Sequence, residues 1–316
     1  MKAWVIDSYG GPEVLRRTNI DTPIIKKGGI LIEVKYVALN PYDYKLRNGV
    51  AKMMTGKKFP KVFGGDFSGV IVESDDKDST LQVGQAVYGF ANLFMREQGC
   101  LAEYATMSTK YVRPIPEGFD LKQASALTSA GLTALNGIQK CGALKDRKVL
   151  VNGATGGVGH FATQILAAKG AKVTAVCSGQ NADLATSLGA ERVIDYRKDD
   201  ALQDDMTYDI IYDAAAKLSY PIARKHLNRA GVYCTTEESL SAGLQLLKSK
   251  FSLRTGMTLS SFRGKTGDFE EIEKLAISKD VMPSIQHQFP FAETDKAFEL
   301  LENGKSSGKI VINIKG

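Results

Sequence analysis

The sequence predicts an α/β fold in which a strand-rich, barrel-like domain at residues 1–120 precedes a doubly wound parallel-sheet domain at residues 121–255. Short strand-like runs broken by glycine and proline turns predict the first domain. From about residue 121, helical stretches alternate with short apolar runs, which is typical of a parallel sheet covered by helices. The alternation fades after about residue 255, so residues 256–316 are expected to return and complete the first domain.

Length and composition agree with this division. A chain of 316 residues, with 43% hydrophobic and 24% charged residues, is long enough for two domains and typical of soluble globular proteins. It contains no apolar run of the roughly 18 residues that a membrane span needs. The stretch from Met1 to Asp7 resembles a first strand rather than a signal peptide, which makes a cytoplasmic location the default expectation.

The net formal charge of +6 is scattered, and its densest cluster is Lys57, Lys58 and Lys61. A solvated surface explains it best, ahead of a basic entrance for an anionic cofactor, and specific nucleic-acid binding is not expected. The cysteines have no zinc-site or redox-motif spacing and are expected to be free thiols; they are Cys100, Cys141, Cys177 and Cys234.

The elements follow in order. In the first domain, residues 31–37 and 68–73 have strand composition. In the second, strands are expected at 148–152, 172–177, 192–195, 209–212 and 232–235, with helices at 161–169, 182–188 and 220–228. Helices at 268–278 and 292–301 and a final strand at 309–313 complete the chain.

The strongest local signal is a glycine-rich turn between the strand at 148–152 and the following helix. It matches the Rossmann fingerprint, with Ala154 in the place of the first glycine and Gly156 and Gly159 as the second and third. Gly156 would let the backbone approach a pyrophosphate, Gly159 would let the helix pack closely, and the helix N-terminus would donate N–H groups to the anion. The predicted dinucleotide-binding residues are Ala154, Thr155, Gly156, Gly157, Val158 and Gly159.

NADPH is the expected dinucleotide. The strand at 172–177 ends without the carboxylate that would bind a ribose 2′-hydroxyl, and Ser178 and Asn181 follow it around Gly179. Ser178 can donate a hydrogen bond to a 2′-phosphate, and Gly179 leaves room for it. Tyr196 could reach the same phosphate, although a half-buried strand end explains that residue nearly as well.

Stretches along most of the chain carry a family resemblance. They are residues 1–4 with 10–15, 38–45, 64–70, 101–104, 131–134 and 153–159. With them, the chain resembles the medium-chain dehydrogenase/reductase superfamily, in its quinone oxidoreductase and alkenal/enone reductase branch. The resemblance implies a GroES-like first domain, a Rossmann second domain, a homodimer and NADPH-dependent reduction of a small quinone or enone.

The resemblance also implies that no zinc is bound. Alcohol dehydrogenases of the superfamily would have a cysteine near Asn40, a His-Glu pair at Gly65 and Asp66, and four cysteines within residues 85–110, where this chain has only Cys100. Without a metal to stabilise an alkoxide, the acceptor must delocalise the new negative charge itself. Quinones and α,β-unsaturated carbonyls do so, and the function expected from the sequence is hydride transfer to such acceptors.

Several site residues follow from the resemblance, each with an alternative. Asn40, Asp43 and Tyr44 are the candidate catalytic residues, although turn and helix-cap chemistry would equally place Asn40 and Asp43 there. Thr133, Ala215 and Lys309 are candidate cofactor contacts, against an ordinary helix threonine and a surface lysine as simpler interpretations. Tyr42, which could replace Tyr44, and Phe262 are candidate substrate-pocket residues, and Asp66 is expected to bond neighbouring backbone.

Two rival functions remain open on the sequence. One is an NADPH-dependent enoyl-thioester reductase, for which Tyr44 and the basic cluster at residues 57–61 could serve as acid and carrier-binding surface. The other is a non-enzymatic, crystallin-like protein that binds NADPH and RNA. The scattered charge and the absence of an aromatic stacking platform in the sequence disfavour this second alternative.

Overall fold

The polypeptide divides into two units, Met1–Ser129 with Ser284–Gly316, and Ala130–Pro283. The structure is a computed structural model that describes residues 1–76, 80–93, 97–202, 206–237, 239–250, 252, 254–262, 266–304 and 306–315. The first boundary follows residue 129, where the sequence predicted 120, and the second follows residue 283, where it predicted 255. The second lies later because a strand at Thr255–Leu259 and a helix at Thr266–Ile277 belong to the second unit. In the described residues, no helix is long and apolar enough to cross a membrane.

The first unit begins with a strand-rich stretch. Its strands are β1 (Lys2–Ile6), β2 (Leu15–Asn19), β3 (Gly29–Leu39), β4 (Lys61–Val62), β5 (Asp66–Ser74), β6 (Ala86–Phe90), β7 (Tyr104–Ser108) and β8 (Val112–Pro114). Its helices are α1 (Pro41–Arg47), α2 (Lys52–Thr55) and α3 (Leu121–Ser125), and α4 (Thr128–Gln139) contains the boundary between the units.

The second unit alternates strands and helices. The strands are β9 (Lys148–Asn152), β10 (Lys172–Cys177), β11 (Arg192–Asp195), β12 (Tyr208–Asp213), β13 (Leu227–Thr235) and β14 (Thr255–Leu259). The helices are α5 (Gly159–Ala168), α6 (Ala182–Ser187), α7 (Tyr220–Ala223), α8 (Leu240–Ser249) and α9 (Thr266–Ile277). The chain then returns to the first unit through β15 (Ile285–Pro290), α10 (Thr294–Glu302) and β16 (Lys309–Asn313).

The main sheet of the first unit contains seven strands, in the order β15-β16-β3-β5-β6-β8 with β7 also paired to β3. All of its pairs are antiparallel except β15 with β16. Its long strand β3 is buried over much of its length, and Ile32, Phe67, Val87 and Leu101 belong to one apolar core cluster. The returning strand β16 pairs with β3, so the C-terminal segment completes this sheet.

The second unit holds a six-stranded sheet, all parallel, in the order β11-β10-β9-β12-β13-β14. The strand order reverses between β9 and β12, which is the switch point at which doubly wound sheets bind ligands. The fold class expected from the sequence is therefore confirmed.

Four predicted strands agree with the structure to the residue: β9, β10, β11 and β16. The helix predicted at 220–228 is wrong in its second half. Helix α7 ends at Ala223, a short 3-10 turn follows, and β13 begins at Leu227, because Leu227 and Tyr233 are buried in the sheet core. The sequence prediction also missed α8 and β14.

Candidate active site

In the first unit, the end of β3 brings Asn40 between two charged residues from its neighbouring strands. Ala38 lies opposite Asp66 of β5, and Leu39 lies opposite Ile310 of β16. The amide nitrogen of Asn40 donates to Asp66 Oδ2 at 2.8 Å, and its Oδ1 accepts from Lys309 Nζ at 2.6 Å. Both ends of this amide are therefore already bonded within the unit, and the side chain is held in one orientation.

Lys309 is buried, so the simpler interpretation of a surface lysine is wrong. Its side chain is 1% exposed, its Nζ donates to the Leu39 carbonyl at 3.2 Å, and it lies 3.8 Å from Asp66 Oδ2. Strand β16 lies between β15 and β3, which explains the burial. Burial lowers the pKa of Lys309, while the Asp66 and Asp43 carboxylates act in the opposite direction.

Asp66 is the acceptor at the centre of this cluster. Besides Asn40, it accepts from the backbone N–H of Ser129 at 3.1 and 3.2 Å and from the Ser129 hydroxyl. Burial raises the pKa of Asp66, and the Lys309 ammonium and the Ser129 hydroxyl oppose that rise. The sequence analysis expected Asp66 to bond neighbouring backbone. Among the described residues, the backbone group that donates to Asp66 is the N–H of Ser129, a residue that the sequence analysis did not name.

Asp43 caps helix α1. Its Oδ2 accepts from the backbone N–H of Asn40 at 2.8 Å, and its Oδ1 accepts from the backbone N–H of Gly65 at 3.2 Å. The side chain is fully buried. Burial raises the pKa of Asp43 to about 7, helped by the nearby Asp66 carboxylate and opposed by the bond from Asn40. Asp43 therefore fixes the start of α1 against Gly65.

Of the two candidate tyrosines, Tyr42 adjoins this cluster. Its ring packs edge-on against Phe90 at 5.8 Å, and a Cβ placed on Gly65 would overlap its hydroxyl oxygen. Among the described residues, that buried hydroxyl has no hydrogen-bond partner. Burial raises the pKa of Tyr42 well above its usual value, and the carboxylates of Asp43 and Asp66 add to the rise. Tyr44 instead packs against the apolar core of the unit.

In the second unit, the glycine loop joins β9 to α5. The backbone N–H groups of Gly153 and Ala154 both donate to the Val176 carbonyl at 3.0 Å, which holds the turn onto β10. A Cβ on Gly159 would overlap the Gly153 carbonyl, whereas a Cβ on Gly156 would meet only that carbonyl, at 3.3 Å. Gly159 is therefore required by packing, and Gly156 leaves space for a ligand beside the helix N-terminus.

Other predicted cofactor residues surround this loop. Ala215 lies against it, because a Cβ on Gly153 would be 2.9 Å from the Cβ of Ala215. Thr155 is buried and accepts a long bond, 3.4 Å, from the Asn181 amide. Gly157 and Val158 are half-buried and directly precede α5 in the chain.

Thr133 and Phe262 are less well defined as site residues. Thr133 is half-buried in α4, and its carbonyl accepts from the Ser260 hydroxyl at 2.6 Å. No hydrogen bond of its own hydroxyl occurs within the described part of the chain, so its side chain does not bond back to the helix. Phe262 follows β14 and is half-buried outside regular structure.

At the end of β10, the structure places a carboxylate that the sequence analysis missed. Ser178 is buried, and a Cβ on Gly179 would lie 2.5 Å from Asp195 Oδ2. Asp195 ends β11 directly opposite Cys177 in the parallel register. The sequence analysis considered Tyr196 at the end of β11 but not its neighbour Asp195, which the pairing of β10 with β11 brings beside Gly179.

A cation was missed at the same edge. Tyr196 is 59% exposed, and the Arg197 guanidinium lies over its ring at 5.9 Å from the centroid. The strand-end loops therefore present the Asp195 carboxylate and the Arg197 guanidinium where the ribose of a dinucleotide is bound in this fold class.

Comparison with known proteins gives a consistent picture. Residues 26–117 match the family described as alcohol dehydrogenase GroES-like domain, and residues 188–312 match the family described as zinc-binding dehydrogenase. The mitochondrial NAD(P)H oxidoreductase RTN4IP1 of Bos taurus is 32% identical, covering 99% of this chain and 89% of the relative. The chloroplastic NADPH-dependent alkenal/one oxidoreductase of Arabidopsis thaliana is 31% identical, covering 99% of this chain and 79% of the relative.

A solved structure extends the likeness over the full length of the chain. The quinone oxidoreductase from Coxiella burnetii is 31% identical and superimposes with a TM-score of 0.88, covering 99% of each chain.

Proposed function

The chain belongs to the medium-chain dehydrogenase/reductase superfamily, and on that premise we propose that it is an NADPH-dependent oxidoreductase that transfers a hydride to quinones or α,β-unsaturated carbonyls without a bound zinc. The observation that carries the proposal is the bonding of Asn40. The side-chain amide of Asn40 is hydrogen-bonded to both Asp66 and Lys309. By the family resemblance, the zinc-binding alcohol dehydrogenases have a metal-binding cysteine near this position.

Zinc does not fit the residues of this cluster. Gly65 has no side chain, the Tyr42 hydroxyl fills the space beside it, and Asp66 is already paired with Lys309. Within the described ranges, which leave out residues 94–96 of the cysteine-lobe region, no group of three or more His, Cys, Asp or Glu could hold a metal ion. A zinc ion needs three or four convergent ligands.

NADPH fits the glycine loop. The space at Gly156 and the N–H groups at the start of α5 would hold the pyrophosphate, and Ser178, Asn181, Tyr196 and Arg197 would surround the adenosine ribose. Bound NADPH supplies the hydride. We also propose, from the family resemblance, that Thr133, Ala215 and Lys309 contact the bound cofactor.

The Asn40 segment supplies the fixed wall of the acceptor site in this proposal. Asn40, Asp43 and Lys309 act as positioning residues, because each of their polar groups is bonded within the unit. A tyrosine hydroxyl donates a hydrogen bond to the developing oxyanion. Tyr42 is the better placed of the two, since its hydroxyl adjoins the cluster whereas Tyr44 packs against the apolar core. Phe262 remains a proposed pocket wall.

The deciding experiment follows oxidation of NADPH and NADH with quinones, small enones, a crotonyl thioester and simple primary alcohols. We expect turnover of quinones or enones, and no stoichiometric zinc by elemental analysis. Preference for the thioester would favour the enoyl-thioester reductase. Salt-sensitive binding of single-stranded RNA, without turnover of any acceptor, would favour the crystallin-like alternative.

We also propose a homodimer in the cytoplasm. An apolar stripe supports the dimer, since Leu240, Leu244 and Leu247 of α8 are 91%, 60% and 56% exposed and α8 packs beside the sheet-end strand β14. Light scattering on the purified protein tests the dimer. The names of the relatives above include mitochondrial and chloroplastic proteins. Imaging of a C-terminal fluorescent fusion tests the location.

A further inference from the structure

A short segment after α1 exposes apolar side chains that the proposed reaction does not use. Val50, Met53 and Met54 are 76%, 90% and 56% exposed. The two methionines are neighbours in the four-residue helix α2. Large apolar side chains clustered at this exposure mark an interaction surface more often than a solvated one.

Lysines flank these apolar residues along the chain. Lys45, Lys52, Lys57 and Lys58 are all exposed, and no ion pair joins any of them to another described residue. Residues 44–65 contain five lysines and one arginine but no Asp or Glu. Arg47 is buried and paired with Glu302, so the exposed positive charge of this segment comes from its lysines.

The backbone behind this surface is anchored. The Tyr9 hydroxyl bonds Thr55 Oγ1 at 2.6 Å and also donates to the Gly56 carbonyl. Lys61 Nζ donates to the Thr55 carbonyl at 2.8 Å and lies 5.1 Å from the centre of the Phe59 ring. These bonds hold the end of α2 and the residues after it in place behind the exposed side chains.

We propose that the methionine–lysine patch, formed by Val50, Met53, Met54, Lys45, Lys52, Lys57 and Lys58, docks on the surface of an anionic lipid membrane. The apolar residues enter the boundary between headgroups and acyl chains, and the lysines lie among the anionic headgroups. The protein lies on the membrane rather than across it.

The composition of the patch favours a membrane over two other anionic partners. A single-stranded nucleic acid is bound through aromatic stacking platforms, and the exposed apolar residues here are a valine and two methionines. In protein–protein interfaces lysine is depleted while methionine, arginine and aromatic residues are enriched, so the two methionines would suit such an interface but the four lysines would not. Exposed apolar side chains beside lysines fit a membrane surface, where apolar groups enter the headgroup boundary and cations are attracted to anionic lipids.

The test is co-sedimentation of the full-length protein with vesicles of phosphatidylcholine alone or mixed with phosphatidylserine. We expect binding to the mixed vesicles that weakens as salt is raised, and little binding to phosphatidylcholine. Lys57→Glu with Lys58→Glu should weaken binding at least about tenfold, and Met53→Ser with Met54→Ser at least about threefold.

The chain provides a matched control. Lys26 and Lys27 form another exposed lysine pair, beside Ile24, which is 89% exposed. Lys26→Glu with Lys27→Glu, and Ile24→Ser, should bind vesicles as the parent protein does. Circular dichroism melting establishes that every variant is folded. Met53→Trp provides a second readout, since the emission of the new indole should shift to the blue on mixed vesicles while that of the buried Trp4 stays constant.

Three results would overturn the proposal. One is no sedimentation with mixed vesicles at low salt. Another is equal loss of binding in the patch and control variants, which would show nonspecific attraction of a basic protein. The third is tighter binding, through the same lysines, to an acidic carrier protein or to RNA than to vesicles. None of these measurements depends on turnover, so failure here leaves the proposed oxidoreductase activity intact.

Discussion

The hydroxyl of Tyr42 fills the space that a side chain at Gly65 would occupy. We therefore expect Gly65→Ala to destabilise the protein by about 2 kcal/mol, because the added methyl must displace Tyr42 or the Phe90 ring 2.8 Å away. Tyr42→Leu should remove most of that penalty. Urea unfolding of both single variants and the double variant measures the coupling, and strict additivity would show that the two positions do not compete for this space.

Tyr42→Phe should leave stability unchanged or slightly higher, since the hydroxyl has no hydrogen-bond partner among the described residues, but should lower kcat if the hydroxyl serves the acceptor.

Asp43 makes stability depend on pH. Its pKa of about 7 lies above the value near 4 of an unfolded aspartate, so between these values the native state holds a proton that the unfolded state has lost. The free energy of unfolding should therefore fall as pH rises from about 4 to about 7, by an amount on the order of 4 kcal/mol. Asp66, whose pKa is also raised, acts in the same direction.

Urea unfolding across this pH range tests the effect. Asp43→Asn should leave a smaller slope and a less stable protein at acid pH. Asp120→Asn, which removes an exposed carboxylate at the N-cap of α3, is the control and should keep the parent slope. A slope unchanged by Asp43→Asn would rule out Asp43 as its source.

Lys309 compensates the buried carboxylates. Lys309→Met should cost about 3 kcal/mol or more, because Asp66 and Asn40 lose their cationic partner inside the unit. Adding Asp66→Asn should restore part of that stability by removing the uncompensated charge. Lys296→Met, at an exposed ion pair with Glu293, is the control and should cost less than about 1 kcal/mol. Similar losses in both lysine variants would contradict the buried ion pair.

Asp195 and Arg197 should set the preference between the two dinucleotides. Asp195→Asn should raise the ratio of NADPH to NADH kcat/KM at least about threefold, by removing a negative charge beside Gly179. Arg197→Ala and Ser178→Asp should lower the same ratio. Asp200→Asn, in the exposed turn that follows, should leave it unchanged. A ratio that none of the three site variants alters would place the adenosine ribose elsewhere.

Two glycines of the loop should respond differently to alanine. Gly159→Ala should lower the melting temperature, because its methyl would overlap the Gly153 carbonyl. Gly156→Ala should melt close to the parent protein but bind NADPH at least about tenfold more weakly, since its methyl occupies ligand space. Fluorescence titration with NADPH and thermal melting separate these effects. Full-strength NADPH binding by Gly156→Ala would remove the loop from the cofactor site.

The sequence predicted the fold because its signals are local. Strand β9, the glycine turn and the start of α5 are contiguous, and each glycine has a distinct steric role. The burial of Lys309 was not predictable in this way, because it depends on the pairing of β16 with β3 across most of the chain. Asp195 was missed for a related reason, since only the parallel register places it opposite Cys177. The local signal for Asp43 as a helix cap was present, and the structure bears out that bond.

The bond between Lys309 and Asn40 joins residues 269 positions apart. During synthesis on the ribosome, the whole of the second unit leaves the exit tunnel before β16 does. Until β16 emerges, Asn40 and Asp66 lack the Lys309 ammonium, and β3 lacks the strand β16 that pairs with it. The nascent protein therefore carries an incomplete first unit until β16 emerges, and a chaperone that shields exposed strand edges would have its longest opportunity to act there.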